Sequence, residues 1–125
     1  MKTCFLTEKG PKAVGPYSTA VTANGMIYLS GVVPIDPSTG KVVSGGIEAE
    51  TAQVLSNLTV IAAELGRSLA DAVKVTVFLA DMGDFAKVNT LYQEAFGPHY
   101  PARTCVAVAG LPLGVRIEVE VLLQA

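Results

Sequence analysis

The stretch that decides the fold class is VRIEVEVLL, residues 115–123. Apolar residues at its odd-numbered positions alternate with Arg116, Glu118 and Glu120 at the even-numbered ones. Successive side chains of a β-strand point to opposite faces of a sheet, so this alternation predicts a strand with one apolar and one polar face. A solvated outer face is the ordinary explanation of such a polar row, and a functional site is the alternative.

A second strand, predicted over residues 103–108, would place Arg103 and Cys105 on one face. If this strand pairs with the last one as a hairpin, Arg103 lies close to Glu118 or Glu120. The arginine could then form a structural ion pair. It could instead bind a substrate carboxylate while one glutamate handles a proton. The pattern leaves both alternatives open.

The rest of the chain supplies the other elements of an α+β fold. Alternating patterns predict four further strands, over residues 3–6, 17–23, 26–30 and 73–79. Asn24-Gly25 predicts a hairpin turn between the second and third of these. Helical spacing predicts one helix over residues 47–65 and another from an Asp84 N-cap to Gly97-Pro98. The order βββαβαββ fits a mixed, mostly antiparallel sheet with two helices packed on one face.

Length and composition predict a single domain over residues 1–125 that associates with copies of itself. The hydrophobic share is 50% and the charged share is 16%, whereas about 25% charged residues is usual. Such a chain has too little charge to coat a monomer. We therefore expect a neighbouring subunit to cover apolar surface.

Several classes of partner are disfavoured. The net charge is -2 and the nine Lys and Arg form no run, so nucleic acid is not an expected partner. The apolar runs are too short to span a bilayer, which predicts a cytoplasmic protein without a membrane partner. Cys4 and Cys105 are expected to be reduced thiols, and with His99 alone beside them they predict no metal site.

Five groups of short segments are distributed along the chain: Gly15-Pro16-Tyr17; Tyr28-Leu29-Ser30-Gly31; VTVFL at 75–79 with Asp84-Phe85 and Val88-Asn89; Pro101-Ala102-Arg103-Thr104-Cys105-Val106; and Ile117-Glu118-Val119-Glu120. Together they resemble the reactive intermediate deaminase family, also called RidA or YjgF, over nearly the whole chain. The Pro-Ala-Arg element, followed at this distance by Ile-Glu, is the most specific part.

This resemblance implies a chorismate-mutase-like α+β fold and a homotrimer with three clefts between protomers. It implies hydrolysis of 2-enamine and 2-imino acids, such as 2-iminobutanoate and 2-iminopropanoate, to 2-oxo acids and ammonia. The imine carbon is already electrophilic, so positioning water and assisting proton transfer suffice and no cofactor is needed.

The family's functional residues map onto this sequence position by position. Arg103 would bind the substrate carboxylate, and Glu118 would hold and orient the attacking water. Asn89 matches a recurrent family position but receives no catalytic step. The other implied substrate-binding positions are Gly31 and Cys105, through backbone groups, and Tyr17 and Ser30, which would line the cleft.

Other functions remain as alternatives. A binding module could use the Arg103 cleft to sense a small carboxylic or 2-oxo acid, although Glu118 favours an enzyme because a carboxylate receptor gains nothing from a second carboxylate. A ribonuclease or translation-inhibitor role has been attached to the family, and the acidic balance disfavours it. A chorismate-mutase-type reaction rests on fold analogy alone. A Cys105 nucleophile would need a base, and only His99 is available.

Overall fold

A computed structural model of the protein describes all 125 residues, Met1–Ala125. The elements are β1 (Thr3–Phe5), β2 (Ala20–Ala23), β3 (Met26–Leu29), β4 (Ile35–Asp36), β5 (Lys41–Val42), α1 (Gly46–Glu64), β6 (Ala72–Leu79), α2 (Phe85–Phe96), β7 (Ala102–Ala107) and β8 (Ile117–Gln124). Six of the strands form one mixed sheet, in the spatial order β1-β2-β3-β8-β6-β7, and β4 pairs separately with β5.

The predicted α+β class, with two helices and a mixed sheet, is confirmed. The Asn24-Gly25 hairpin is also confirmed, because Ala23 pairs with Met26 across the turn. Both turn residues have positive φ, 50° for Asn24 and 75° for Gly25, as a two-residue turn between twisted strands requires. The two-stranded unit of β4 and β5 was not predicted.

The alternation along β8 separates the core from the opposite face of the sheet. Both helices bury their apolar side chains against one face, which we call the helix face. The β6 and β8 side chains in this core are Val75, Val77, Leu79, Ile117, Val119, Val121 and Leu123, each at most 2% exposed. On the other face, which we call the open face, Glu118 pairs with Phe78 and Glu120 with Thr76, and these side chains are half-buried.

The predicted hairpin between the last two strands is wrong. β7 pairs with β6 in parallel, β8 pairs with β6 antiparallel, and β6 therefore lies between them. The physical reason is that α2 carries the chain from β6 to β7, and a helical crossover joins parallel strands. As a result Arg103 and Glu118 are separated by an intervening strand.

Asp84 does not act as the side-chain N-cap that the sequence predicted for α2. Its carboxylate instead accepts hydrogen bonds from Arg116 Nε at 3.2 Å and Nη2 at 2.9 Å. The Arg116 backbone N–H donates to Glu50 at 2.8 Å. Arg116 therefore does not belong to the polar row predicted for β8. Its hydrogen bonds connect the start of that strand to both helices.

The helices otherwise follow their sequence signals. α1 ends before Gly66, whose φ of 73° is the left-handed conformation common after a helix. α2 buries Val88, Tyr92 and Phe96. Neither helix combines the length and the apolar composition needed to cross a bilayer.

Candidate active site

The predicted site residues fall into two groups. The first group surrounds a cavity of about 310 Å³ that contains Glu118. We call this cavity the glutamate half-site. Its lining residues are Val14, Tyr17, Ser30, Gly31, Val33, Pro112, Leu113 and Glu118. Three of the predicted substrate-binding residues thus lie beside the predicted catalytic glutamate.

Glu118 is held in an environment that favours its neutral form. Burial, and to a smaller extent the neighbouring Glu120 carboxylate, raises the pKa of Glu118 above its ordinary value. No cation forms an ion pair with it within the chain. A carboxyl group of this kind can accept and return a proton closer to neutral pH than an exposed glutamate can.

Gly31 permits the close approach between its loop and Glu118. The bridge between Val32 and Val119 sets this approach, with N–H to O distances of 2.8 and 3.0 Å in the two directions. A Cβ atom on Gly31 would lie 2.9 Å from the carboxyl carbon of Glu118. Any side chain at this position would therefore displace the glutamate.

The polar groups of Tyr17 and Ser30 are already partly engaged. The Val14 backbone N–H donates to the Tyr17 hydroxyl oxygen at 3.2 Å, which leaves the phenolic proton free to be donated. The Ser30 hydroxyl donates to the Ser18 carbonyl at 2.7 Å, which leaves its lone pairs free to accept. The half-site therefore offers one spare donor and one spare acceptor beside Glu118.

The second group surrounds Arg103, in a separate cavity of about 360 Å³. We call this cavity the arginine half-site. Its lining residues are Asn89, Tyr92, Gln93, Tyr100, Pro101 and Arg103. Arg103 Nη1 donates to Asn89 Oδ1 at 2.7 Å. The guanidinium carbon lies 4.6 Å from the centre of the Tyr92 ring and 5.4 Å from that of Phe85.

Cys105 follows Arg103 by two residues on β7, and it packs against the core on the helix face. Burial raises the pKa of its thiol, and the Arg103 charge lowers it by a smaller amount. The thiol is therefore held in the protonated form, which is a poor nucleophile. This environment disfavours the alternative in which Cys105 attacks the substrate.

The two half-sites lie on opposite faces of the sheet. Arg103 is level with Val75, a helix-face residue, and Glu118 is level with Phe78, an open-face residue. Arg103 and Glu118 are therefore offset by three residues along the strand direction and by two strand spacings across the sheet. This offset separates their backbones by about 14 Å. The expected proximity of Arg103 to Glu118 or Glu120 within one chain is wrong. The alternative of a structural ion pair between them in one chain is also excluded.

The sequence did not predict several contributors to these cavities, and it gave Asn89 no role. Asn89 and Tyr92 hold Arg103, and they lie three residues apart on α2, where both can face the same neighbour. An amide next to an apolar helical stripe was the available signal for Asn89. Val14, Val33 and Leu113 carried no signal, because isolated apolar loop residues are common.

No three metal-binding side chains of the types His, Cys, Asp and Glu lie close together in this chain. The two candidate half-sites offer a guanidinium group at Arg103, a carboxyl group at Glu118 and hydroxyl groups at Tyr17 and Ser30. These groups can bind a small carboxylate and move protons.

The chain is similar to known proteins over nearly its whole length. The family model described as endoribonuclease L-PSP matches residues 7–124. A RutC family protein of Pyrococcus horikoshii is 49% identical over 120 residues, which cover 96% of this chain and 95% of that protein. A human protein named 2-iminobutanoate/2-iminopropanoate deaminase is 46% identical over 91% of this chain and 83% of its own length. The crystal structure of RidA from an Antarctic Psychrobacter species has a TM-score of 0.94 at 39% identity, covering 98% of this chain and 99% of that chain.

Proposed function

This chain belongs to the endoribonuclease L-PSP family, also called the YjgF/RidA family, and we propose that it hydrolyses 2-enamine and 2-imino acids to 2-oxo acids and ammonia. The proposed substrates include 2-iminobutanoate and 2-iminopropanoate, as the name of the human relative suggests. The observation that carries the proposal is the half-buried carboxyl of Glu118, which has a raised pKa and no ion-pair partner in its own chain. A receptor for carboxylates gains nothing from such a group, whereas an acid-base catalyst requires it.

In this proposal the complete site forms between two copies of the chain. Arg103 and Glu118 of one copy cannot both contact a small substrate, because they lie on opposite faces of the sheet. The open face also carries apolar surface suited to burial, including Tyr28 at 43% and Val106 at 39% exposed. A second copy that covers this face with its edge strand β7, which carries Arg103, would bring that Arg103 to the Glu118 of the first.

We propose a homotrimer with three such sites, as the family resemblance implies. Light scattering should then give three times the 13.0 kDa mass of the chain. A monomer mass at micromolar concentration would contradict both the trimer and the composite site.

The cytoplasmic location inferred from the sequence also stays a prediction.

Arg103 binds the substrate carboxylate in the proposed mechanism. Its charge is not neutralised by any carboxylate of its own chain. Nη1 is engaged by Asn89, so donors on Nε and Nη2 remain for a two-pronged contact with the substrate. Binding the carboxylate fixes the neighbouring imine carbon relative to the second half-site.

Glu118 performs the proton transfers. Its carboxylate takes a proton from a water molecule while the water oxygen forms a bond to the imine carbon. The C=N electron pair moves to the nitrogen, Glu118 transfers the water proton to that nitrogen, and a carbinolamine results. Glu118 then takes the proton of the carbinolamine hydroxyl and transfers it to the nitrogen, the C–N bond breaks as the C=O bond forms, and ammonia and the 2-oxo acid leave. The reaction consumes one water molecule and needs no oxidant or cofactor.

Two other functions can be separated from this one experimentally. A binding module would use Arg103 to bind a 2-oxo acid without turnover. A ribonuclease is suggested by the family description, but nine Lys and Arg against eleven Asp and Glu give little attraction for a phosphate backbone. Two of these cations, Lys87 and Arg116, are also paired with carboxylates.

The proposal is tested by a coupled assay in which an amino-acid oxidase or a threonine dehydratase generates the imine. The release of ammonia and 2-oxo acid is followed with and without the protein. We expect faster release than spontaneous hydrolysis gives. Binding of the 2-oxo acid without acceleration would support the binding module. Cleavage of RNA by protein that leaves imines untouched would support the ribonuclease.

A further inference from the structure

We propose that Asn89 is a positioning residue, which fixes the Arg103 guanidinium in place while leaving its positive charge free for the substrate. This inference rests on the proposed function, since it takes Arg103 as the group that binds the substrate carboxylate. It gives a role to a residue to which the sequence assigned none.

The contacts of Arg103 are all with neutral groups. Asn89 Oδ1 accepts from Nη1 at 2.7 Å. The face of Tyr92 lies 4.6 Å from the guanidinium carbon, and that of Phe85 lies 5.4 Å from it. An aromatic face attracts a cation without occupying its N–H donors. One amide and two rings therefore restrain the guanidinium and consume a single one of its five donors.

Arg116 shows the contrasting arrangement within the same protein. Its guanidinium donates through Nε and Nη2 to the carboxylate of Asp84, at 3.2 and 2.9 Å. Asp84 is only 6% exposed. The charge is paired there and the Nε and Nη2 donors are engaged, so that arginine joins elements of the fold and attracts a further anion less than Arg103 does.

Both arginines lie against α2, so the chemical type of their partners distinguishes them. A carboxylate at position 89 would also hold Arg103, and more strongly, because a hydrogen bond between charged partners is about twice as strong as a neutral one. It would, however, compete with the substrate carboxylate for the guanidinium. An amide restrains the side chain without that competition.

The test is the substitution Asn89→Asp, compared with Asn89→Leu and with the control Gln93→Glu. Asn89→Leu keeps the side-chain size but removes the hydrogen-bond acceptor. Gln93 lines the same cavity but has no hydrogen bond to Arg103, so Gln93→Glu adds the same charge without changing a hydrogen-bond partner of Arg103. Affinity for the 2-oxo acid is measured by calorimetric titration of the assembled protein, alongside melting curves and imine turnover.

We expect Asn89→Asp to weaken binding of the 2-oxo acid by about tenfold or more, which is the loss of one charged hydrogen bond. Its melting temperature should stay equal or rise, because the new ion pair holds Arg103 more tightly. Asn89→Leu should lose less affinity, and Gln93→Glu should lose the least. A merely structural role predicts the opposite order for the two Asn89 variants, with Asn89→Asp closer to wild type than Asn89→Leu.

Asn89→Asp protein that binds the 2-oxo acid as tightly as wild type, or more tightly than Asn89→Leu, would overturn the inference. The wild-type titration keeps this result separate from a failure of the proposed function. If wild type binds the 2-oxo acid and hydrolyses imines but the order of the variants is reversed, only the role of Asn89 is wrong. If wild type neither binds nor hydrolyses, the proposed function and this inference fail together.

Discussion

The arginine and glutamate half-sites are built in different ways. At the first, Arg103 is restrained by an amide and two aromatic rings of its own chain. At the second, Glu118 has no ion-pair partner and lies beside Gly31 and the like charge of Glu120. The chain thus restrains the proposed binding group and leaves the proposed proton-transfer group unpaired. Neither half-site alone contains both groups that the proposed imine hydrolysis uses.

The largest effect should come from the arginine half-site. Arg103→Ala removes both prongs of the carboxylate contact, so affinity for a 2-oxo acid should fall by about 10²- to 10⁴-fold and imine turnover should be lost. Arg103→Lys keeps the charge but loses the planar fork, so binding should still weaken clearly. Calorimetric titration with a 2-oxo acid and with its amide measures the loss.

The matched control is Arg116→Ala, which removes the other arginine beside α2. It leaves the buried Asp84 carboxylate unpaired, so it should lower the melting temperature more than Arg103→Ala does. It should preserve the preference for the acid over the amide. If the wild type bound the 2-oxo acid and its amide equally well, this would contradict the proposed contact between Arg103 and the substrate carboxylate.

At the glutamate half-site, Glu118→Gln should lower turnover by about 10²- to 10⁴-fold, since the amide keeps the shape but cannot accept a proton. Ligand affinity should change little, because the carboxylate contact belongs to Arg103. Steady-state kinetics and titration of the same preparation separate the two effects. Unchanged turnover would remove Glu118 from the mechanism and direct attention to Glu120.

The pH dependence of imine turnover should test the proposed role of Glu118 further. The carboxylate form of Glu118 is the proposed base, and the pKa of Glu118 is raised by burial and by Glu120. The rate constant kcat/KM should therefore fall with acid through a pKa above about 4.3, the ordinary value for glutamate. A profile that is flat down to that ordinary value would contradict the proposed base.

The same shift has a consequence for stability. A carboxyl whose pKa is raised by folding stabilises the folded state at low pH, and this contribution is lost as pH rises through the raised pKa. Glu118→Gln should therefore melt no lower than wild type at neutral pH. Melting curves of the two proteins at neutral and acid pH test this sign.

The smallest effect is expected from Cys105→Ser. The proposed role of this residue belongs to its backbone, and burial keeps its thiol protonated. Activity should remain substantial in the coupled imine assay. Complete loss of activity in a variant that melts normally would revive the thiol as a nucleophile.

The sequence predicted which side chains share a face of a strand, but it did not predict which strands are neighbours in the sheet. Alternation along β8 placed Glu118 and Glu120 opposite the core, because side-chain direction follows from local backbone geometry. Strand order does not follow from local geometry. Adjacency in the chain suggested a hairpin, but the crossover through α2 places β7 on the far side of β6.

Polar contacts between residues far apart in the sequence could not be predicted, for the same reason. Asp84 had the right position for a helix N-cap, but Arg116, 32 residues further along the chain, takes its carboxylate. Asn89 and Arg103 meet only because the crossover lays α2 beside β7. The resemblance predicted the site residues, and the sheet order places them in two separate half-sites of one chain.

The composite site is tested most directly by combining two inactive variants. Arg103→Ala and Glu118→Gln chains are co-expressed in equal amounts, and imine turnover of the mixed oligomers is compared with that of each variant alone. If each site takes its arginine and its glutamate from different copies, random mixing leaves about one quarter of the sites intact, since each of the two residues is intact with one chance in two. We therefore expect about one quarter of wild-type turnover to return. Turnover no higher than that of the separate variants, in oligomers shown to contain both chains, would mean that one chain supplies both residues and would contradict the account.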